Sequence, residues 1–122
     1  GMFEQNGILD RPFSVSLVVG VASGMPADPR WLPLLKELVP ADAPWQVIAI
    51  GREEVWAMHR SAAEHGGNLR TGLEDTFYLP DGSKTHSNGA LIAALAKTAQ
   101  AAGREVASPS EARQRLGLVG LN

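Results

Sequence analysis

The sequence predicts an α/β fold assembled from parallel βα units. Three observations carry that prediction. Short Val- and Ile-rich runs alternate with longer stretches of helical period. The first two runs close on glycine, Gly20 and Gly51. Residues that start helices, Asp28, Ser87 and Ser108, stand ahead of the helical stretches. Strands separated by helices imply a parallel sheet with right-handed crossovers.

Phe3 to Leu9 reads as the tail of a preceding helix, and Arg11-Pro12 marks a turn. Ser14 to Gly20 is the first strand, apolar enough for a buried parallel sheet. After the loop Gly24 to Pro29, Asp28-Pro29 supplies an N-cap and a first helical residue. Trp31, Leu32, Leu34, Leu35 and Leu38 then form an apolar stripe that ends near Pro40. Trp45 to Gly51 is the second strand. Arg52-Glu53-Glu54 puts acid in the first turn of the next helix, where its dipole favours it. Val55, Trp56, Met58, Ala62 and Ala63 supply that helix's apolar face, and His65-Gly66-Gly67 ends it. Asn68 to Glu74 is the third strand. Ser87 caps a helix with the stripe Leu91, Ile92, Leu95, Ala96 and Ala99, closed by Gly103. Ser108-Pro109-Ser110-Glu111 is a capping box that opens a last helix through Leu116.

Composition narrows the function. Among 122 residues there is no Cys, which removes disulfides, thiolate metal sites and Cys nucleophiles. Eleven Lys+Arg against thirteen Asp+Glu leave a net charge of −2 without a basic cluster, which argues against nucleic acid and anionic membranes as partners. The best apolar run, Val15 to Ala22, is far short of the ~20 residues of a membrane span. No signal peptide is visible, so the cytoplasm is the expected location by default. Gly1 before Met2 reads as a tag-cleavage scar.

Three parallel strands leave two open edges, and such a sheet is normally covered on both faces. A closed βα barrel needs eight units and about 250 residues. Residues 1–122 therefore read as a single partial domain that belongs to something larger or completes itself by association.

Charge concentrates in Arg70-Thr71-Gly72-Leu73-Glu74-Asp75. Strand parity puts Leu69, Thr71 and Leu73 on one face and Arg70, Gly72 and Glu74 on the other. In an extended strand Arg70 and Glu74 stand about 13 Å apart, so each would need its own partner. Glu74 and Asp75 fall at the strand's carboxyl end, where parallel α/β folds place their sites. A structural ion-pair network and a functional site remain open at this point. The glycines Gly20 and Gly24 could present amides to a phosphate, but the P-loop and dinucleotide patterns are missing. Arg52, directly after the second strand, could take an anion or be an ordinary helix-start Arg. His59, His65 and His86 show no ligand spacing and read as surface residues. His86 alone is placed to touch a ligand. Trp31 and Trp56 read as core, and Ser14, Ser16 and Ser23 lack nucleophile context.

Gly67-Asn68-Leu69-Arg70-Thr71-Gly72-Leu73-Glu74-Asp75 resembles the last barrel strand of the β-keto acid cleavage enzyme family. In the same order, Gly20…Gly24-Met25-Pro26-Ala27, Trp45…Ile50-Gly51-Arg52, Ser87-Asn88…Leu91 and Gly103-Arg104-Glu105-Val106-Ala107…Glu111-Ala112-Arg113…Leu116-Gly117-Leu118 fit as well. The resemblance implies the last three-eighths of a TIM (β/α)8 barrel with its C-terminal helix. It implies conversion of a β-keto acid and acetyl-CoA to acetoacetate and a new acyl-CoA by a retro-Claisen route. A zinc ion would polarise the keto group, bound by two His of an H-x-H motif early in the barrel and by Glu74. Arg70 would hold the substrate carboxylate or developing charge, and Asp75 would be the acid/base partner. Gly24 and Arg52 would border substrate or CoA.

The H-x-H pair and the first five strands are absent from this chain, and Asn68 stands where the family commonly has His. One carboxylate does not make a tight zinc site, so the chain by itself is expected to be inactive. It is expected to associate, either with copies of itself or with the missing barrel part. Two rival readings are a non-catalytic oligomerisation module and a small anion- or nucleotide-binding domain using Gly20 to Gly24. The residues present do not identify the β-keto acid.

Overall fold

The computed structural model describes residues 2–118. In chain order it contains α1 (Met2–Gln5), β1 (Val15–Val19), a 3-10 turn (Pro29–Trp31) running into α2 (Leu32–Glu37), β2 (Trp45–Ala49), α3 (Val55–Glu64), β3 (Asn68–Arg70), α4 (Asn88–Ala101) and α5 (Pro109–Arg115). The three strands form one parallel sheet in the order β1-β2-β3. Val15 pairs with Trp45 and Val19 with Ala49, while Gln46, Val47 and Ile48 pair with Asn68, Leu69 and Arg70.

Register sorts the side chains onto two unlike faces. Val15, Leu17 and Val19 of β1, Trp45, Val47 and Ala49 of β2, and Leu69 of β3 share one face. They pack with Leu32 of α2, Val55, Trp56, Met58 and Ala62 of α3, and Leu91 of α4 into a single core. The opposite face carries Ser16, Gln46, Asn68 and Arg70 with Val18 and Ile48. On that face Val18 of the edge strand is 46% exposed, whereas Ile48 on the central strand is buried. Gln46 donates a hydrogen bond to Ser16 Oγ across the paired strands at 2.9 Å. The free edge of β3 continues into an apolar groove of about 320 Å³, lined by Leu69, Ile92, Leu95, Ala99 and Val106.

The capping signals hold. Asp28 accepts from the Arg30 amide at 3.0 Å, Ser87 accepts from the Ala90 amide at 3.3 Å, and Ser108 with Glu111 forms the capping box. Gly20 is dictated by close approach: its φ is +87°, and a Cβ there would lie 1.8 Å from the Ile50 carbonyl oxygen. Arg11 ion-pairs with both Glu4 and Asp42 and ties the N-terminal segment to the loop before β2.

Several expectations need correction. β3 ends at Arg70, not at Glu74, because the chain turns at Gly72. Helix α3 starts at Val55, leaving Glu53 and Glu54 just outside it. Trp31 is 42% exposed, and Leu34 and Leu38 also face outward, because α2 is too short to bury a broad stripe. Ile92 of α4 is exposed on the groove for want of a covering element. Only Met2–Gln5 of the N-terminal stretch is helical. No helix among the described residues is long and apolar enough to cross a membrane.

His59 is not a surface residue. Its position on α3 points it into the core beside Trp56, with ring centroids 5.9 Å apart, and it is fully buried. Neither ring nitrogen has a hydrogen-bond partner among the described residues. Burial pushes its pKa down from 6.5 to about 4, so the folded protein holds it neutral. The unfolded chain takes up the proton first as pH falls. His59's contribution is therefore intact above pH 6.5 and is lost progressively toward pH 4. Urea denaturation of the protein should lose about 2 kcal/mol more between pH 7 and pH 5 than the same measurement on His59→Leu. Equal losses in the two proteins would show that His59 is not the titrating group.

Candidate active site at the carboxyl edge of the sheet

After Arg70 the chain leaves the sheet and closes a turn. The amides of Asp75 and Thr76 both donate to the Gly72 carbonyl, at 2.9 and 3.1 Å. That turn swings Glu74 back over the end of β3, where its carboxylate ion-pairs with Arg70. The expected separation of these two charges is thus corrected, since it assumed an extended chain through Glu74. Both side chains stay partly in solvent, Arg70 at 44% and Glu74 at 69% exposure.

Asp75 takes the opposite orientation. It is only 6% exposed, and its Oδ2 is buried without a partner among the described residues. Its carbonyl accepts from the Gly51 amide at 3.1 Å, which fastens the turn to the end of β2. Burial raises the pKa of the Asp75 carboxyl, and the positive charge of Arg70 partly offsets that rise. A buried carboxyl whose proton affinity is raised has the chemistry of a general acid or base.

Arg70 pairs with Glu74 and its charge reaches Asp75, while Arg52 follows Gly51, whose amide is bonded to the Asp75 carbonyl. Arg52 is exposed, its guanidinium 5.5 Å from the centre of the Tyr78 ring. Gly24 lies in the turn after β1, where its amide donates to the Val21 carbonyl at 2.9 Å. The Gly20 amide is likewise engaged, donating to the Met25 carbonyl at 2.7 Å. With two amides spent inside the loop, the segment is a tight turn more than a phosphate cradle. His65 and His86 are exposed, as expected.

Asn88 was missed by the sequence reading. Its side-chain oxygen accepts from the Leu73 amide at 2.8 Å, pinning the residue just before Glu74 to the first turn of α4. The available signal was its place directly after the Ser87 cap, a position where a side chain faces back toward the preceding loop.

A tetrahedral zinc site needs three or four protein donors. Among the described residues no group of three His, Cys, Asp or Glu side chains is gathered for a metal. Glu74 offers one carboxylate, already paired to Arg70. The donors of this chain do not by themselves fit a zinc ion.

A parallel βα sheet with an Arg and a buried carboxyl gathered at its carboxyl edge has the layout of an α/β enzyme site. The chain belongs to the beta-keto acid cleavage enzyme family, whose sequence model matches residues 1–118. It is 35% identical over 116 residues to the 3-keto-5-aminohexanoate cleavage enzyme of Fusobacterium nucleatum, covering 95% of this chain and 42% of that protein. The protein of the same name from Acetoanaerobium sticklandii is 37% identical over 114 residues, 93% of this chain and 41% of its own. The 3-oxoadipate:acetyl-CoA acetyltransferase of Cupriavidus necator is 37% identical over 119 residues, 94% and 41% respectively. The chain thus spans about two fifths of the length of these curated relatives.

Asn88→Ala should cost about 1 kcal/mol of stability and speed hydrogen exchange at the Leu73 amide. Asn88→Asp, which keeps the acceptor, should restore slow exchange. Unchanged exchange in Asn88→Ala would show that the turn does not depend on this bond.

Proposed function

We propose that the chain is part of a β-keto acid cleavage enzyme and forms the last three βα units of its (β/α)8 barrel. The whole enzyme would convert a β-keto acid and acetyl-CoA to acetoacetate and a new acyl-CoA. Family membership supports the reaction class, and the names of relatives pair β-keto acids with acetyl-CoA. The observation that carries the site is the buried, unpartnered Oδ2 of Asp75 close to Arg70 at the carboxyl edge.

In this reading Asp75 moves the proton between the reacting carbon acids. Arg70, half open to solvent, retains guanidinium donors for the substrate carboxylate beside its bond to Glu74. Glu74 would be one ligand of a zinc ion only if it left its pair with Arg70 and the remaining donors came from outside this chain. Gly24, without a side chain, keeps the rim low on the CoA side, and Arg52 supplies charge there. The open face with Ser16, Gln46, Asn68 and Arg70 is the inward face of the barrel, and the groove along β3 is where the neighbouring barrel part or a second copy packs. The enzyme works in the cytoplasm.

Exposed Val18 and the apolar groove also favour a second reading, a non-catalytic module that associates through its open edges. Light scattering on the chain should give a mass above that of one copy under both readings. Activity separates them. The natural polypeptide that carries this chain should form acetoacetate from acetyl-CoA and at least one β-keto acid in a panel. Asp75→Asn should lower kcat by about 100-fold or more, with little change in acetyl-CoA KM. The chain alone should bind zinc weakly. No acetoacetate with any β-keto acid, or full turnover by Asp75→Asn, would overturn the proposal.

A further inference from the structure

The segment from Asp75 to Tyr78 is clamped at both ends by one connection, the stretch that leads from β2 into α3. At the near end the Gly51 amide donates to the Asp75 carbonyl at 3.1 Å. At the far end the indole N–H of Trp56 donates to the Tyr78 carbonyl at 2.9 Å. Between the clamps the segment is braced on itself. The Asp75 and Thr76 amides share the Gly72 carbonyl, and the Tyr78 amide donates to Thr76 Oγ1 at 3.1 Å. Thr76 is buried beside Asp75 in sequence, at 2% exposure. Past the segment, the Thr85 amide donates to the Phe77 carbonyl at 2.8 Å and Tyr78 bridges Lys84. Those last two contacts tie one part of the loop to another, whereas the indole bond ties it to the core.

Trp56 is itself fixed. It stands in the first turn of α3, is 6% exposed and belongs to the core cluster, with its ring against that of buried His59. Core packing accounts for the apolar body of the ring, which Phe would also supply. It does not account for the N–H, a single donor that needs a partner once buried. That donor is spent on the loop that follows the acid.

We propose that Trp56 is a positioning residue of the candidate site, whose indole N–H anchors the Tyr78 carbonyl and thereby holds Asp75 in its buried setting. The catalytic consequence rests on Asp75 being the acid/base group proposed above, whereas the anchoring rests on the hydrogen bonds alone.

The charged and titratable groups on the elements around this segment are Arg70 and Glu74 before it, Arg52, Glu53 and Glu54 after β2, His59 on α3 and Lys84 across the bridge. Of these, the charge of Arg70 acts on Asp75, against the larger effect of burial. Releasing the anchor lets water reach the carboxyl, which weakens the effect of burial and leaves that of Arg70.

The test compares the natural polypeptide that carries this chain with its Trp56→Phe variant, which keeps a ring in the core and removes the donor. The isotope-labelled Asp75 carboxyl, assigned by its loss in Asp75→Asn, should titrate at lower pH in Trp56→Phe, nearer the ordinary 3.8. Hydrogen exchange at the Gly51 amide should quicken. The kcat should fall by about tenfold or more with little change in acetyl-CoA KM, and the acid limb of its pH profile should move down with the Asp75 titration. Tyr78→Phe, which keeps the backbone acceptor, should leave that titration where it is. Benzothienylalanine at position 56 preserves the ring's shape and lacks the N–H, so it should reproduce Trp56→Phe and decides the matter where Phe does not fold. An unmoved Asp75 titration in both donor-less proteins would overturn the proposal, even with a lowered unfolding midpoint, because that is the behaviour of a merely structural Trp. A moved titration together with full turnover by Asp75→Asn would support the anchor and sink the acid/base reading. An unmoved titration with turnover lost in Asp75→Asn would do the reverse.

Discussion

A three-stranded parallel sheet can bury one face under its own crossover helices and leaves the other to whatever the chain meets next. That constraint organises the molecule. Val47, Ala49, Val55 and Met58 are fully buried because α3 crosses directly over β2. The same crossover brings the end of β2 beside the turn after β3, where the Gly51 amide reaches the Asp75 carbonyl. Burial of one face therefore fixes the frame on which the carboxyl-edge residues are mounted. The other face holds the polar row Ser16, Gln46, Asn68 and Arg70 beside half-exposed Val18 and buried Ile48.

The fold was readable where local chemistry and burial agreed. Val-rich runs closed by glycine gave β1 and β2, since β-branched residues suit a buried parallel strand and Gly20 must admit the Ile50 carbonyl. Asp28, Ser87 and Ser108 marked helix starts through hydrogen bonds made within three residues. Trp31, Leu34 and Leu38 misled because an apolar stripe implies burial only when a partner lies opposite. His59 misled for the converse reason. Histidine is usually kept at the surface by its polar nitrogens, yet its neighbours Val55, Met58 and Ala62 on α3 commit that helix face to the core.

The site was legible as a cluster and illegible as a geometry. Position along the chain was enough to put Arg70, Glu74 and Asp75 at a strand end. It could not show that the chain would turn at Gly72, because parity reasoning extends a strand until something interrupts it. The interruption comes from the Gly72 carbonyl, which accepts two amides, and from Asn88, fifteen residues further on. Contacts of that separation leave no periodic trace in a single sequence. The bond from Trp56 to the Tyr78 carbonyl is hidden for the same reason.

The two carboxylates next to Arg70 are coupled through it. Arg70 lowers the proton affinity that burial gives Asp75, while Glu74 occupies part of the same guanidinium. A second anion on Arg70 would neutralise more of its charge and let burial dominate, so Asp75 would hold a proton more tightly. Drawing Glu74 away would have the opposite effect, exposing Asp75 to the full positive charge. Burial is the larger influence on Asp75 and the charge of Arg70 the smaller, opposing one, so the pairing of Arg70 with Glu74 can only modulate a shift that burial sets. Asp75 Oδ2 has no hydrogen-bond partner among the described residues, so no hydrogen bond offsets the effect of burial there.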